Sequence, residues 1–126
     1  MRVLLDTNTF LWGLSAPEKL SVTARNAIAS SDRFLSVVSI WELLIKVQIG
    51  KLPLPTPAGD YLTSQMRNNG VSVLSIKLEH VLRIEQLQLH HRDPFDRMLI
   101  AQSIEEGLPI VTSDHAFSRY PVEVIW

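Results

Sequence analysis

The apolar run Val3-Leu4-Leu5, which stops at the carboxylate of Asp6, constrains the fold of this chain more than any other stretch. Three apolar residues in a row, without polar alternation, are typical of a strand that is covered on both faces, as in the middle of a parallel sheet. A parallel sheet needs helices on both faces and binds ligands at the edge where its strands end. Asp6 should therefore lie at that edge, beside a helix that begins at Thr7 and Asn8.

The length and composition of the chain bound the remaining possibilities. The 126 residues are the length of one domain, so we expect a single domain over residues 1–126. No apolar run approaches the roughly 18 residues of a membrane helix and no signal-peptide pattern is present, so we expect a cytoplasmic protein with no membrane attachment. The chain has no cysteine, and any metal must therefore use oxygen or imidazole ligands. The 12 basic and 13 acidic residues balance, which neither indicates nor excludes a local nucleic-acid surface.

Predicted strands and helices alternate along the whole chain. After the first strand, continuous apolar runs predict strands at Phe34–Val38, Val71–Leu74, Pro109–Thr112 and Val122–Ile125. Helices are predicted at about 9–14, 21–30, 39–49, 59–69, 77–87 and 94–106, with a single helical turn at 114–118. Ser39 and Glu42 have the spacing of a capping box that opens the third of these helices. The alternation predicts an α/β sandwich with a mostly parallel sheet.

Four carboxylates fall at predicted helix starts, at Asp6, Glu42, Asp96 and Asp114. Right-handed crossovers gather the N-termini of helices at the carboxyl edge of a parallel sheet, so all four acids should lie on one side of the molecule. Any one of them alone is better explained as a helix cap worth about 1 kcal/mol. Two unit charges about 4 Å apart, however, repel by about 4 kcal/mol at an effective dielectric constant near 20. If the acids converge, a bound cation is needed to offset their mutual repulsion.

Oxygen ligands and a need for two positive charges fit Mg²⁺ or Mn²⁺. Such an ion can activate water and stabilise the leaving oxygen of a phosphodiester, which favours a hydrolase. Two other classes stay open at this point. A phosphoacceptor signalling domain, like a haloacid-dehalogenase-type phosphatase, would need a second early acid, whereas Asp6 is followed by Thr7 and Asn8. A binding module would use the four acids only as helix caps.

Four motifs resemble, in order and spacing, those of the PIN-domain nucleases, particularly the VapC-type ribonuclease toxins of toxin–antitoxin pairs. The motifs are Leu5-Asp6-Thr7-Asn8, Ser39-Ile40-Trp41-Glu42-Leu43, the run Asp93–Ala101 and Thr112-Ser113-Asp114. The resemblance spans nearly the whole chain and implies a three-layer sandwich with strand one central. It also implies a Mg²⁺- or Mn²⁺-dependent endoribonuclease that acts on RNA, forms a homodimer and is inhibited by a small cognate antitoxin. The implied catalytic, metal-binding quartet is Asp6, Glu42, Asp96 and Asp114.

Several polar residues flank these acids. Thr7, Asn8, Thr112 and Ser113 could hydrogen-bond the carboxylates or metal-bound water, and simple helix-start or turn roles are equally favoured. Asn8 and Ser113 are the preferred candidates for contacts with the carboxylates or the water. Asp93 offers a fifth carboxylate, for which capping of the following helix is the favoured role over metal binding.

Basic and aromatic residues supply the last candidates. Lys46 and Arg97 are candidates for contacts with RNA phosphates, although ion pairs with the acids are favoured. His90 and His91 precede the helix at 94–106, and solvated or capping roles are favoured over metal binding or general-base catalysis. For three aromatic residues, a place in the core or an interface is favoured over stacking on bases: Trp12, Trp41 and Phe95.

Overall fold

The computed structural model describes residues 1–126 and shows a five-stranded sheet with helices packed on both faces. The strands are β1 (Arg2–Leu5), β2 (Asp32–Ser36), β3 (Val71–Leu74), β4 (Ile110–Val111) and β5 (Val124–Ile125). The helices are α1 (Thr7–Ser15), α2 (Val22–Ser30), α3 (Val37–Gln48), α4 (Ala58–Asn68), α5 (Leu78–Arg83) and α6 (Pro94–Glu106). Short 3₁₀ segments lie at Pro17–Lys19, Ile84–Gln86 and His115–Arg119.

The strand order is β3-β2-β1-β4-β5, and every neighbouring pair is parallel. The predicted α/β sandwich with a central first strand is therefore confirmed, and the sheet is wholly rather than mostly parallel. Leu5 pairs in register with Leu35 of β2 and with Val111 of β4. The residues that follow these three positions consequently lie side by side at the carboxyl edge of the sheet, and Asp6 is the central one.

Alternate residues of β1 belong to two separate cores, one on each face of the sheet. Val3 and Leu5 face the first core, and Leu4 faces the second; all three are buried. The first core adds side chains from α1 to α4: Phe10, Ala24, Leu43, Leu62 and Met66. The second adds side chains from α6 and the last 3₁₀ segment: Leu99, Ile100 and Phe117. This double coverage explains why Val3, Leu4 and Leu5 are all apolar, whereas Arg2 at the start of β1 is exposed.

The boundary between β2 and α3 differs from the prediction. The strand ends at Ser36, two residues early, and the helix begins at Val37 with Ser36 as its N-cap. The Ser36 hydroxyl accepts a hydrogen bond from the backbone N–H of Val38 at 3.1 Å. The predicted capping box of Ser39 and Glu42 is therefore wrong. The two β-branched valines prolonged the strand pattern, although the serine before them is the better helix start.

The remaining helix boundaries follow local rules. Asp6 caps α1, Ser21 caps α2 and Asp93 caps α6, each with a side-chain oxygen that accepts a backbone N–H. Gly107 ends α6 in the left-handed conformation, with φ of 65°, which only glycine adopts without strain. No helix in the structure combines the length and apolar character needed to cross a bilayer.

Candidate active site

A polar cleft of about 220 Å³ opens at the carboxyl edge of the sheet, where β1 and β4 end. It is lined by Asp6, Thr7, Asn8, Glu42, Lys46, Asp93, Asp96, Ser113, Asp114 and Phe117. Five carboxylates thus share one cleft with a single lysine. The fold brings together all four acids that the sequence singled out, because β1 is central and β4 is its neighbour.

Asp6 is held from two sides at the end of β1. Its Oδ1 accepts the backbone N–H of Thr9 at 2.7 Å, and its Oδ2 accepts a hydrogen bond from the hydroxyl of Thr112. Burial raises the pKa of Asp6, although these hydrogen bonds oppose the rise. The charge of Asp114 adds a smaller contribution in the same direction as burial. The carboxylate is therefore oriented by the protein but is not neutralised by it.

Thr112 connects two of the acids from the end of β4. Its fully buried hydroxyl donates to Asp6 and accepts the backbone N–H of Asp114 at 3.1 Å. The sequence predicts hydrogen bonds of this kind for Asn8 and Ser113 rather than for Thr112. Both line the cleft, but neither forms a hydrogen bond with any of the four carboxylates.

Glu42 lies in the second turn of α3 and caps no helix, contrary to its predicted position at the helix start. Its Oε1 accepts a hydrogen bond from the hydroxyl of Thr7 at 2.8 Å, and the Thr7 oxygen lies 2.9 Å from the buried Ser39 hydroxyl. Its Oε2 forms an ion pair with Lys46 at 3.4 Å, one helical turn further along. Thr7 and Lys46 therefore hold the carboxylate of Glu42 at the cleft that it shares with Asp6 and Asp96.

Asp93 and Asp96 have different roles although both begin α6. Asp93 caps the helix, since its Oδ1 accepts the backbone N–H groups of Phe95 at 2.8 Å and of Asp96 at 3.1 Å. Capping was the favoured role for Asp93, and the structure places it there. Asp96 caps nothing and receives no hydrogen bond from a backbone N–H.

The carboxyl of Asp96 is the least compensated charge in the cleft. Burial, and after it the charge of Asp93, raises the pKa of Asp96 to about 7. The charges of Glu42 and Asp114 act in the same direction, whereas His91 opposes them. Asp96 therefore exchanges its proton near neutral pH in the absence of a cation, which is the behaviour expected of acids brought together around an ion site.

Asp114 completes the cleft from the segment after β4. Its Oδ1 caps the 3₁₀ segment by accepting the backbone N–H of Ala116 at 2.9 Å. Its Oδ2 is left for the cleft and lies 3.8 Å from Nε2 of His91. The side chain is 47% exposed, so this side of the cleft is open to solvent and to a ligand.

A larger cavity of about 320 Å³ lies on the other side of α1, against α2. Its lining is mainly apolar and contains Arg25 and Arg33 but no carboxylate. It offers neither the ligands for a hard cation nor a connection to the four acids, so the smaller acidic cleft is the candidate active site.

A family model for the PIN domain matches residues 3–123 of the chain. The chain belongs to the PIN-domain family. The resemblance drawn from the four sequence motifs is thereby confirmed.

Relatives of this PIN domain include two ribonucleases of Mycobacterium tuberculosis. Ribonuclease VapC22 is 28% identical over 131 residues, which cover 98% of this chain and 98% of that protein. Ribonuclease VapC16 is 44% identical over 46 residues, which cover 36% of this chain and only 33% of that protein. The chain thus resembles the VapC-type ribonucleases over its full length.

Solved structures share the fold of this PIN domain at low sequence identity. VapBC2 from Rickettsia felis, bound to a DNA fragment from its promoter, superposes with a TM-score of 0.71 at 13% identity and covers 98% of this chain and 97% of its own. DNA-bound VapBC from Salmonella typhimurium gives 0.71 at 17% identity, with 98% and 96% covered. These structural similarities support the assignment of the fold.

His91 is the residue at the cleft that the sequence interpretation assigned differently. It was expected to be solvated or to cap a helix, but its Nε2 lies 2.8 Å from Oδ2 of Asp96 and its side chain is 23% exposed. The adjacent His90 meets Tyr120 edge to face, with ring centroids 5.2 Å apart, and contacts none of the acids. The two histidines are equivalent in the sequence, and only the path of the chain before α6 distinguishes them.

Arg97 points away from the cleft of this PIN domain. Its guanidinium donates to the backbone oxygens of Ile84, Gln88 and His91, and to the hydroxyl of Tyr120. It forms no ion pair with the acids, and its donors are engaged by the segment before α6. The ion pair favoured for Arg97 is therefore wrong, whereas the one favoured for Lys46 is present with Glu42. The placement of Arg97 also disfavours the alternative phosphate contact and leaves Lys46 as the basic residue that lines the cleft.

Two of the three aromatic candidates pack on the cores, and the third is exposed. Trp12 packs on the first core and lies 6.0 Å from Trp126, as a core role requires. Phe95 packs against the second core and meets Trp41 edge to face at 5.1 Å. Trp41, however, is 57% exposed, so a place in the core is excluded for it, and a place in an interface stays a prediction.

Proposed function

We propose that this PIN domain is a divalent-metal-dependent endoribonuclease and that residues 1–126 act as a single nuclease domain. The observation that carries the proposal is the convergence of four carboxylates on one cleft with too little positive charge to balance them. In this assignment, four acids hold Mg²⁺ or Mn²⁺: Asp6, Glu42, Asp96 and Asp114.

The residues of the cleft fit such an ion. Carboxylate oxygens are the preferred ligands of Mg²⁺ and Mn²⁺. Asp96 and Asp114 each turn an oxygen into the cleft that no backbone N–H or hydroxyl occupies. The buried Nε2 of His91 beside them has no well-directed hydrogen bond. These free carboxylate oxygens and the unpaired imidazole nitrogen are the kind of atoms that a cation would bind.

A bound divalent ion lowers the pKa of a coordinated water and offsets the charge that develops on a phosphodiester during hydrolysis. The protein orients the carboxylates that would hold the ion. Thr112 and the Thr9 N–H fix the carboxylate of Asp6, and Thr7 fixes that of Glu42. Lys46 can exchange its ion pair with Glu42 for a contact with the phosphate of the substrate.

The names of similar proteins support the proposed substrate class and partner. The two relatives from Mycobacterium tuberculosis are named ribonucleases, which supports RNA as the substrate. The structural neighbours are VapBC assemblies and a toxin–antitoxin complex from Klebsiella pneumoniae, which support a small antitoxin protein as inhibitor. A homodimer that acts in the cytoplasm completes the proposal.

Cleavage of single-stranded RNA with Mg²⁺ tests the proposal directly. We expect Asp96→Asn to fold normally and to lose cleavage, because it removes a carboxylate that caps no helix. Asp60→Asn is the matched control, since Asp60 is an exposed acid in the first turn of α4 outside the cleft, and it should cleave like the wild type. Undiminished cleavage by Asp96→Asn would contradict the assignment.

A non-catalytic binding module is the second candidate, because three of the acids do cap helices. Asp6, Asp93 and Asp114 each accept a backbone N–H, as the capping interpretation requires. Glu42 and Asp96 cap nothing, which that interpretation leaves unexplained. Calorimetric titration of Mn²⁺ into the wild type and Asp6→Asn separates the candidates. No binding by the wild type, or equal binding by the variant, would favour the binding module.

A further inference from the structure

We propose that His91 supplies an imidazole nitrogen to the divalent ion held by Asp96 and Asp114, and that the site therefore prefers Mn²⁺ to Mg²⁺. The inference rests on the proposed function, because it concerns the same acidic cleft. It adds a neutral nitrogen to a site whose other ligands are all carboxylates.

The distances fit a shared ion. The His91 nitrogen and one carboxylate oxygen from each of Asp96 and Asp114 all lie within 4.8 Å of one another. Two of these distances are 2.8 Å, from Nε2 to Asp96 Oδ2, and 3.8 Å, from Nε2 to Asp114 Oδ2. Ligands about 2.1 Å from one octahedral ion lie about 3.0 Å apart when adjacent and about 4.2 Å apart when opposite. Small side-chain shifts would place all three atoms around one ion.

The imidazole nitrogen lacks another partner. Nε2 of His91 is shielded from water, and the Asp96 oxygen at 2.8 Å lies off the direction of a hydrogen bond. Buried polar atoms in native proteins are almost always paired, so an unpaired one calls for an explanation. An ion between the ring and the two carboxylates satisfies all three groups at once.

The position of His91 is fixed by contacts from three sides. Its backbone N–H donates to the hydroxyl of the buried Tyr120 at 2.9 Å, and its carbonyl accepts from Nη1 of Arg97 at 3.3 Å. Its ring meets the buried Phe117 edge to face at 6.4 Å. These contacts assign Arg97 and Tyr120 as positioning residues that hold the imidazole against the acids.

The nitrogen ligand determines which ion the site favours. Mg²⁺ prefers oxygen ligands and retains several waters. Mn²⁺ is a first-row transition-metal ion, and these ions accept an imidazole ligand more readily than the harder Mg²⁺ does. Because His91 adds nitrogen to a carboxylate site, it strengthens binding of Mn²⁺ more than binding of Mg²⁺.

Calorimetric titrations of Mn²⁺ and of Mg²⁺ into the wild type, His91→Asn and His90→Asn test the proposal. Loss of supporting groups around a metal typically lowers affinity 10–100-fold, so loss of a direct ligand should weaken Mn²⁺ binding by at least about tenfold. Binding of Mg²⁺ should change much less. His90→Asn is the matched control, since it removes the neighbouring ring without touching the acids.

Pulsed electron paramagnetic resonance of the Mn²⁺-bound protein provides a readout independent of activity. We expect nitrogen modulation from a coordinated imidazole in the wild type and in His90→Asn, and its loss in His91→Asn. If His91→Asn does not fold, retention of the modulation in both His90→Asn and His115→Asn assigns it to His91, since His80 is buried against Glu106 and Lys77, outside the cleft.

Three results would overturn the inference, and they are distinguishable. Equal Mn²⁺ affinity in the wild type and His91→Asn, without nitrogen modulation, removes the imidazole ligand but leaves the acidic site intact. Tighter Mn²⁺ binding by His91→Asn would mean that the ring obstructs the ion. Absence of Mn²⁺ binding by the wild type would overturn the proposed function together with this inference.

Discussion

Replacing Asp96 by asparagine should stabilise the metal-free protein. Asp96 is three-quarters buried among other acids and makes no capping hydrogen bond, since Asp93 accepts the backbone N–H groups at this end of α6. Burial and the charge of Asp93 raise the pKa of Asp96 to about 7 from the usual value of 3.8. Asparagine keeps the shape of the side chain and removes the charge.

The sign and size of the effect follow from the pKa. The unfolded chain ionises Asp96 near pH 4, whereas the folded, metal-free protein holds the proton until about pH 7. The free energy of unfolding of the wild type therefore falls as the pH rises from about 4 to about 7, and the penalty is constant above that range. At about 1.4 kcal/mol per tenfold change in proton affinity, the penalty approaches about 4 kcal/mol. Asp96→Asn does not lose this stability, because asparagine carries no ionisable group.

Urea unfolding in EDTA at pH 4, 6 and 8 measures the effect. We expect Asp96→Asn to exceed the wild type by about 2–4 kcal/mol at pH 8 and to match it near pH 4. Ser21→Ala is the matched control for a true cap, because the Ser21 hydroxyl accepts the Ala24 N–H at 3.0 Å and does not line the cleft. It should lose about 1 kcal/mol at every pH. A similar, pH-independent loss of unfolding free energy in Asp96→Asn would refute the inference that neighbouring charges destabilise ionised Asp96.

Two further predictions concern metal uptake and the support of Asp6. Binding of Mn²⁺ at pH 7 should displace the proton from Asp96 and release about half a proton per ion, which calorimetry in buffers of different ionisation enthalpy measures; a buffer-independent heat would contradict this. Thr112→Val should weaken Mn²⁺ binding about 10–100-fold by freeing the carboxylate of Asp6, whereas Thr63→Val, on the exposed face of α4, should not. Equal affinities for the two valine variants would show that Thr112 does not support the ion.

The sequence predicted a first strand covered on both faces and the edge on which the acids lie, because both depend on local patterns. A continuous apolar run identifies a doubly covered strand, and Val3, Leu4 and Leu5 are buried in two cores as that pattern requires. Convergence of the acids depended on strand order. Parallel neighbours on both sides of β1 are a tertiary property, which the family resemblance implied and the pattern of residues did not determine.

The misassigned residues are those whose role depends on distant contacts. Glu42 looked like a capping residue, and its partner Thr7 lies 35 positions earlier in the chain. Thr112 was ranked below its neighbour Ser113, and its partner Asp6 is 106 positions away. His91 could not be separated from His90 without the contact to Tyr120. Local propensity carries no information about such pairs.

Helix capping and the proposed metal binding, which are alternatives in the sequence, would use different atoms of the same carboxylates. In Asp6 and Asp114, Oδ1 accepts a backbone N–H, while Oδ2 turns to Thr112 or towards His91. Each acid therefore starts a helix with one oxygen and faces the cleft with the other. Asparagine preserves the capping oxygen and removes the charge, because it caps helices as well as aspartate does. Asparagine substitutions at these two positions should consequently leave the fold intact while they abolish metal binding, whereas alanine would remove both functions together.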